Sequence, residues 1–546
     1  MKSYTFLLLF IISTLAVSCK KSETPQPPAT ISIDPDHLEI SSVNPAYSYR
    51  VKVSIANSTE TTVTWTSEDP RIASVGTDGL IKALVAGQTN IVATLGNGIA
   101  SAKCKITITD EYDYKYRITL KDKGQSDFSI ARPEAFLSAK AIERRRKRNI
   151  AIDETDLPIS SDYIKAIKNV GGTIVAQSKW LGTVSVLTSD QLLVEKYKAL
   201  PFVKDVTMVW QGKRLSSAPA AYTDAPQAGT HNTIVTPITY GAAATNITVN
   251  NGQALHNNGF TGKGIDIAVI DAGFINLKSN PYFNNITIKG AKSFVYENHD
   301  PYAIDDHGVW VTSCMAVNKP GSYVGTAPDA NYWLLRTEDE ADEYPIEEDY
   351  WVNAIEYADS VGVDIVNSSL TYNNDYYIPA AQYKFEDMDG KTATATRAAN
   401  LAFAKGIFIV CCSGNERSWV GTPADSPNVL TIGGVTPTGL LASFTAWDVT
   451  VDGRVKPDIM SLSSGAAVIN TSGSSEMRSG TSYASPIICG LAACLWQAYP
   501  QLTNKDLLDI FRKSGDKADS PAIPFGYGIP DMQKALTLAK TAAAGK

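Results

Sequence analysis

Histidine is scarce in this chain: 5 in 546 residues, namely His37, His231, His256, His299 and His307. Chemistry that depends on an imidazole therefore has few places to sit. Cysteine is scarce too, 7 in all, and no spacing among them has the form of a zinc site. A large net charge is lacking, since 49 basic and 56 acidic residues leave a formal charge of −7. That balance gives no electrostatic reason to expect nucleic acid. A run apolar enough to cross a membrane is missing as well. The apolar core Phe6–Val17 near the N-terminus is too short to span and fits an export signal.

What is present suggests several globular domains, with 44% hydrophobic and 19% charged residues. The chain is organised around Ser479-Gly480-Thr481-Ser482-Tyr483-Ala484-Ser485-Pro486. An apolar run from Ile487 to Trp496 follows and reads as a buried helix. Ser482 then sits in its first turn, where Pro486 is still early enough to be tolerated. The positive end of the helix dipole suits a nucleophile whose reaction develops an oxyanion. The competing reading is that Thr481 or Ser482 is an ordinary helix cap.

A serine nucleophile needs a base and an orienting carboxylate. Only His307 has a motif-like setting, Asp305-Asp306-His307-Gly308, followed by a helix-capable run to Val317. Asp271 ends the apolar strand Ile265–Ile270, where α/β sheets place their ligands. The order Asp, His, Ser is that of subtilisin. From about Tyr240 to the C-terminus the chain resembles subtilisin-like serine proteases. Asp271 lies in the aspartate motif, His307 in the His-Gly motif and Ser482 in Gly-Thr-Ser-x-Ala-x-Pro. Asn415, in Cys412-Ser413-Gly414-Asn415, matches the family's oxyanion-hole asparagine. Four matches in the right order are far more specific than any one of them.

The resemblance implies a mostly parallel sheet with helices on both faces over residues 240–546. It also implies a substrate cleft with Ser368-Ser369-Leu370 along one wall and Cys412-Ser413-Gly414 along the other. The sequence departs from the family at Thr371, where glycine is usual, and at Cys411-Cys412, where alanines are. Tyr483 replaces the usual methionine, Ile487 a common histidine, and Ala272 a Thr or Ser.

Before the protease-like part, five segments precede in order. Residues 1–18 read as a signal peptide. Leu15-Ala16-Val17-Ser18-Cys19 resembles a bacterial lipoprotein box, so residues 19–28 read as a lipidated Cys19 with a Pro-rich tether; an ordinary signal peptide is the alternative. Residues 29–110 are strand-like, with turns at Thr77-Asp78-Gly79 and Gly96-Asn97-Gly98. Val63–Val75 with Asp78–Ile81 resembles bacterial immunoglobulin-like group 2 domains, read as a spacer. Residues 111–210 alternate strands and helices as a split βαβ unit, and subtilisin-like zymogens carry an inhibitory propeptide in this position. Its run Arg144-Arg145-Arg146-Lys147-Arg148 ends a helix and reads as a solvated helix end that complements the dipole. Nucleic-acid binding and dibasic processing are its sharper alternatives. Residues 211–239 read as a polar linker, suited to cleavage.

Setting Cys19 aside leaves Cys104, Cys314 and four more. Cys411, Cys412, Cys489 and Cys494 fall in apolar segments and read as buried small hydrophobes. The family's chemistry needs no cofactor. Two acidic clusters raise structural calcium: Glu338-Asp339-Glu340 with Asp342 and Glu343, and Glu386-Asp387-Met388-Asp389-Gly390. Neither carries a full calcium-loop pattern, and both compete with solvated loops. Pro345 with Glu347-Glu348 reads as an ordinary helix start.

The function expected is an exported, lipid-anchored serine endopeptidase made as a zymogen. Its partners are a peptide or protein substrate, its own propeptide and a membrane, on the outer-membrane, periplasmic or cell-surface face. The alternative is a non-catalytic cell-surface binding protein on a protease-like scaffold. All four motif residues are present, which favours the enzyme.

Overall fold

The computed structural model describes residues 26–40, 48–96, 98–110, 112–213, 225–229, 237–295, 299–339 and 343–546. The signal segment, Cys19 and most of the linker lie outside these, as do Glu340 and Asp342. The chain divides into two compact units, residues 1–111 and 112–546.

The first unit is all strand. One sheet orders His37–Ile40, Ala100–Ile108, Gly87–Leu95 and Val63–Ser67, and another orders Ser48–Arg50, Leu80–Ala83 and Ala73–Val75. Thr30–Asp34 pairs antiparallel with Lys52–Ala56. Residues alternate strictly along Gly87–Leu95, so that Ile91, Ala93 and Leu95 are buried while Val92 and Thr94 are half-exposed. A period of two with one apolar face makes two sheets pack face to face.

The second unit begins with four strands, β1 (Tyr112–Leu120), β2 (Thr173–Ser178), β3 (Thr183–Thr188) and β4 (Val203–Lys213). They form an antiparallel sheet in the order β2-β3-β1-β4. Helices α1 (Ala139–Lys147), α2 (Ser161–Val170) and α3 (Leu193–Lys198) connect them, which is the split βαβ order expected. Strand β4 runs three residues into the segment read as linker. Tyr114, Tyr116 and Ile118 of β1 enter an apolar core with Ile167, Val184, Val186 and Tyr197. The alternate residues, Lys115 and Arg117, point to the other face. That face is covered too, and Lys115 is only 1% exposed.

A sheet of seven parallel strands follows: β5 (Asp266–Asp271), β6 (Thr287–Ser293), β7 (Asn331–Arg336), β8 (Ile365–Ser368), β9 (Phe408–Cys412), β10 (Val429–Val435) and β11 (Ile459–Leu462). Their order is β6-β7-β5-β8-β9-β10-β11, with every pair parallel. Strands β5, β8, β9, β10 and β11 are buried at every residue. That is why they read as continuous apolar runs, since helices cover both faces. Helices α4 (His307–Ala316), α7 (Thr481–Ala498), α8 (Asn504–Ser514) and α9 (Met532–Ala544) pack in one core. Helices α5 (Ile346–Val361) and α6 (Thr394–Ala404) pack in the other. This is the subtilisin-like α/β arrangement expected. Cys411, Cys412, Cys489 and Cys494 are buried within it.

The linker is not free throughout. Gln227 N–H donates to Ile288 O and Ile288 N–H to Gln227 O, both at 2.9 Å, so Gln227 pairs with the edge strand β6. Lys278 Nζ donates to Ala225 O at 2.8 Å.

Candidate active site

The C-terminal ends of parallel strands and the N-terminal ends of the helices that follow them meet on one side of the sheet. Asp271 is the last residue of β5 and is fully buried. His307 is the first residue of α4, where Asp305 Oδ1 accepts its backbone N–H at 2.6 Å. The imidazole Nδ1–H donates to Asp271 Oδ1 at 2.7 Å. The same oxygen accepts the Ala272 N–H at 2.9 Å, which fixes the carboxylate plane. Burial pulls the His307 pKa down, but the charge and hydrogen bond of Asp271, with Asp305, outweigh it and raise it to about 9.

Ser482 is the second residue of α7, and 8% of its surface is exposed. The helix cap is Gly480, with no side-chain capping bond, so Thr481 and Ser482 are not caps. The N–H of Ser482 has no carbonyl four residues back within the helix. The rings of His307 and Tyr483 lie 6.2 Å apart, which sets the start of α7 beside the imidazole. Pro486 lies deeper in the helix than the first turn expected of it. It lacks the N–H that would reach Ser482 O. Ser369 Oγ–H donates to that carbonyl instead, at 2.9 Å.

Asn415 follows β9 and is exposed. Its Oδ1 accepts the Thr481 N–H at 2.8 Å and the Thr481 hydroxyl at 3.0 Å. With the oxygen so engaged, the Nδ2 donors are turned away from Thr481. Thr481, which sequence reasoning weighed only as a cap, therefore aims Asn415. Two more residues were missed. Ser485 Oγ donates to Asn367 Oδ1 at 2.8 Å, and Asn367 Nδ2 donates to Ser369 Oγ at 3.1 Å. Polar residues in an otherwise buried strand end and helix were the available signal.

The expected walls are both near this site, but their side chains are committed inward. Ser368 Oγ accepts the Trp351 indole N–H at 3.0 Å. Leu370 is half-exposed and its carbonyl accepts the Cys411 thiol at 3.3 Å. Cys412 and Ser413 are buried, and the Ser413 N–H donates to Ile432 O at 3.0 Å. Gly414 N–H donates to Thr481 Oγ1 at 3.2 Å, and Gly414 O accepts the Ala446 N–H at 3.1 Å. A Cβ on Gly414 would lie 3.5 Å from Thr371 Oγ1, so the added bulk of Thr371 faces the other wall.

The two acidic clusters behave differently from a calcium loop. Carboxylate oxygens of Glu338, Glu343 and Glu347 lie within 4.8 Å of one another. Burial, then the charge of Glu343, pushes Glu338 up to about 8, and its Oε1 accepts the hydroxyls of Thr337 and Tyr372. Carboxylates this close are held together by a shared proton or by a cation. Glu347 and Glu348 lie in the first turn of α5 behind Pro345, the helix start expected, and both are buried. In the second cluster Asp389 accepts the N–H groups of Lys391 and Thr392, and Asp387 that of Lys384. Those carboxylates close turns.

The basic run also departs from its expected role. Arg144 and Arg145 side chains are 2% and 1% exposed, while Arg146 and Lys147 are 70% and 68% exposed. Arg145 pairs with Asp156 at 3.1 Å and with Asp359 at 2.8 Å, and Arg144 pairs with Asp359. A buried guanidinium needs such partners, and the one they share, Asp359, lies more than 200 residues away.

Residues 262–529 match the subtilase family, peptidase S8. Residues 115–225 match the peptidase S8 propeptide domain of Bacteroidota, and residues 29–106 the bacterial Ig-like domain, group 2. Subtilisin NAT of Bacillus subtilis subsp. natto is 28% identical over 291 residues, 52% of this chain and 68% of that protein. Subtilisin of Bacillus pumilus is 28% identical over 291 residues, covering 94% of its length. The thermophilic serine proteinase of Bacillus sp. (strain AK1) is 30% identical over 279 residues, 50% of this chain and 62% of its own.

Proposed function

With a subtilase-family domain at residues 262–529, this chain is a serine endopeptidase of the subtilisin type, and we propose that Asp271, His307 and Ser482 carry its reaction. The observation that supports this most is the 2.7 Å bond from His307 Nδ1 to the buried Asp271. It leaves Nε2 to take the proton of Ser482 Oγ as that oxygen bonds to a peptide carbonyl carbon. The Asn415 amide, aimed by Thr481, and the Ser482 N–H then hold the oxyanion. Collapse breaks the C–N bond, and His307 gives its proton to the leaving amine. Water repeats the sequence on the acyl-serine. No cofactor enters.

The propeptide domain makes this a zymogen that hydrolyses peptides or proteins once released. Ser368-Ser369-Leu370 and Cys412-Ser413-Gly414 are proposed as the cleft walls. We also infer export and a lipid anchor at Cys19, on the outer-membrane, periplasmic or cell-surface face. Among the described residues no helix is long and apolar enough to cross a membrane. The competing reading, a non-catalytic binding scaffold, finds none of the four groups missing.

Ser482→Ala tests the assignment. In subtilisin itself, loss of the serine lowers kcat by about 2 × 10⁶. A similar loss with an unchanged melting curve is expected here. Turnover near that of the parent would refute the triad.

A further inference from the structure

Two segments reach the nucleophile from the same end of the sheet, and both are fastened to the start of α7. One leaves β8 and the other β9, which are parallel neighbours. Ser369 Oγ–H donates to Ser482 O at 2.9 Å, and Gly414 N–H donates to Thr481 Oγ1 at 3.2 Å. The slot between the segments therefore opens beside Ser482. The substrate side chain next to the attacked carbonyl would enter it.

The slot is shut at its base. Tyr372 N–H donates to Thr422 O and Thr422 N–H to Tyr372 O, both at 2.9 Å. A Cβ on Gly421 would lie 2.4 Å from Tyr372 O, so the two backbones touch. On the inner side the Cys411 thiol reaches across to Leu370 O at 3.3 Å. What is left for a side chain is the outer end, between Thr371 and Gly414.

That opening is narrow. A Cβ built on Gly414 would lie 3.5 Å from Thr371 Oγ1, 3.3 Å from Ala446 Cβ and 2.8 Å from Glu416 Oε2. With a C–C bond of ~1.5 Å, Thr371 Oγ1 is then at most about 5 Å from Gly414 Cα. A carbon held between two walls needs ~3.5–4.0 Å to each, so about 7–8 Å in all. The opening falls short by about 2 Å. Turning Thr371 gives little relief, because a β-branched side chain is stiff at χ1 and carries a methyl beside its hydroxyl. Glu416 stays at the same mouth, since its Oε2 accepts the Asn415 N–H at 2.8 Å.

We propose that Thr371 restricts this enzyme to peptide bonds that follow a small residue, alanine or glycine. The proposal rests on the triad and cleft-wall reading above, and adds the residue that sets the substrate class. A hydrogen or a methyl ends before the constriction, whereas leucine and phenylalanine run into it. Lysine, drawn by the Glu416 carboxylate, is the competing occupant. Thr371 stands where subtilisin-like proteases usually have glycine, so the constriction belongs to this chain.

The test uses the full chain after activation and a set of quenched peptides that differ only at the residue before the cut: alanine, leucine, phenylalanine or lysine. Mass spectrometry locates each cut. The parent should cleave the alanine peptide with kcat/KM at least about tenfold above the others. Thr371→Gly should shrink its advantage over leucine and phenylalanine by at least about tenfold. Thr371→Val, which keeps the shape and loses the hydroxyl, should keep the parent's ranking. A parent that takes phenylalanine or lysine as readily as alanine would overturn the proposal, as would an unchanged ratio in Thr371→Gly. A ranking lost in Thr371→Val would assign the effect to the hydroxyl and overturn the steric reading equally. If Thr371→Gly does not fold, Thr371→Ala replaces it and is read the same way. A parent that cleaves none of the peptides would sink the triad reading and this proposal with it, whereas turnover with another ranking sinks this proposal alone.

Discussion

At the scale of single residues, the site turns on protonation. His307 must be neutral to act as a base, and Asp271 raises its pKa to about 9. The sign follows directly: the protonated form is favoured, so activity falls as pH falls through that value. The kcat/KM of the mature enzyme should climb through the neutral range, reach half its maximum near pH 9 and level off above that. Asp271→Asn should move that limb to lower pH and cut kcat, by about 10⁴ in the serine-protease precedent. A limb that stays in place would show that another group sets it. Asn415→Leu should lower kcat by about 10²–10³ with little change in KM; that magnitude is the one measured for subtilisin's own oxyanion-hole asparagine. These residues were legible because each sits in a short local motif. Arg144 and Arg145 were not, because a basic helix end has the same local sequence whether it meets water or Asp359.

At the scale of elements, α5 is where the propeptide sheet rests on the catalytic domain. Its Glu356 accepts the N–H groups of Lys179 and Trp180, both at 3.1 Å, and the hydroxyl of Ser178. Hydrogen bonds to a charged group contribute roughly 1.5–3 kcal/mol each. Glu356→Ala should therefore loosen the propeptide sheet and shorten the lag before activity appears in the full chain by about tenfold. A lag equal to the parent's would mean that these bonds do not govern inhibition. Strands were the elements best read from sequence. The strand read at Ile265–Ile270 forms over Asp266–Asp271, because burial on both faces leaves a continuous apolar signature. The polar face of β1 carries no local signal of its burial, since Arg117 finds its partner Asp349 on a distant helix. Pro486 misled in the same way, because the hydroxyl that replaces its hydrogen bond comes from Ser369.

At the scale of the whole molecule, the order of parts has a meaning. The proposed anchor, the Ig-like domain and the propeptide all precede the linker, and the protease follows it. Cys19→Ser should move the exported protein from the membrane fraction to the soluble one, since no described helix could hold it there. Protein that remains bound in high salt would overturn the lipid anchor. Domain order was legible from composition and turn spacing, whereas contacts between domains require two distant surfaces to be known at once. The pairing of Gln227 with Ile288 adds a last consequence. Strand β6 is the border of a seven-stranded sheet, and a bare border offers its N–H and C=O groups to any passing chain. Gln227 fills that row at one position from a segment downstream of residues 214–224. A cut among those residues leaves it with the protease, so the remnant would act as a guard against edge-to-edge aggregation of the freed enzyme.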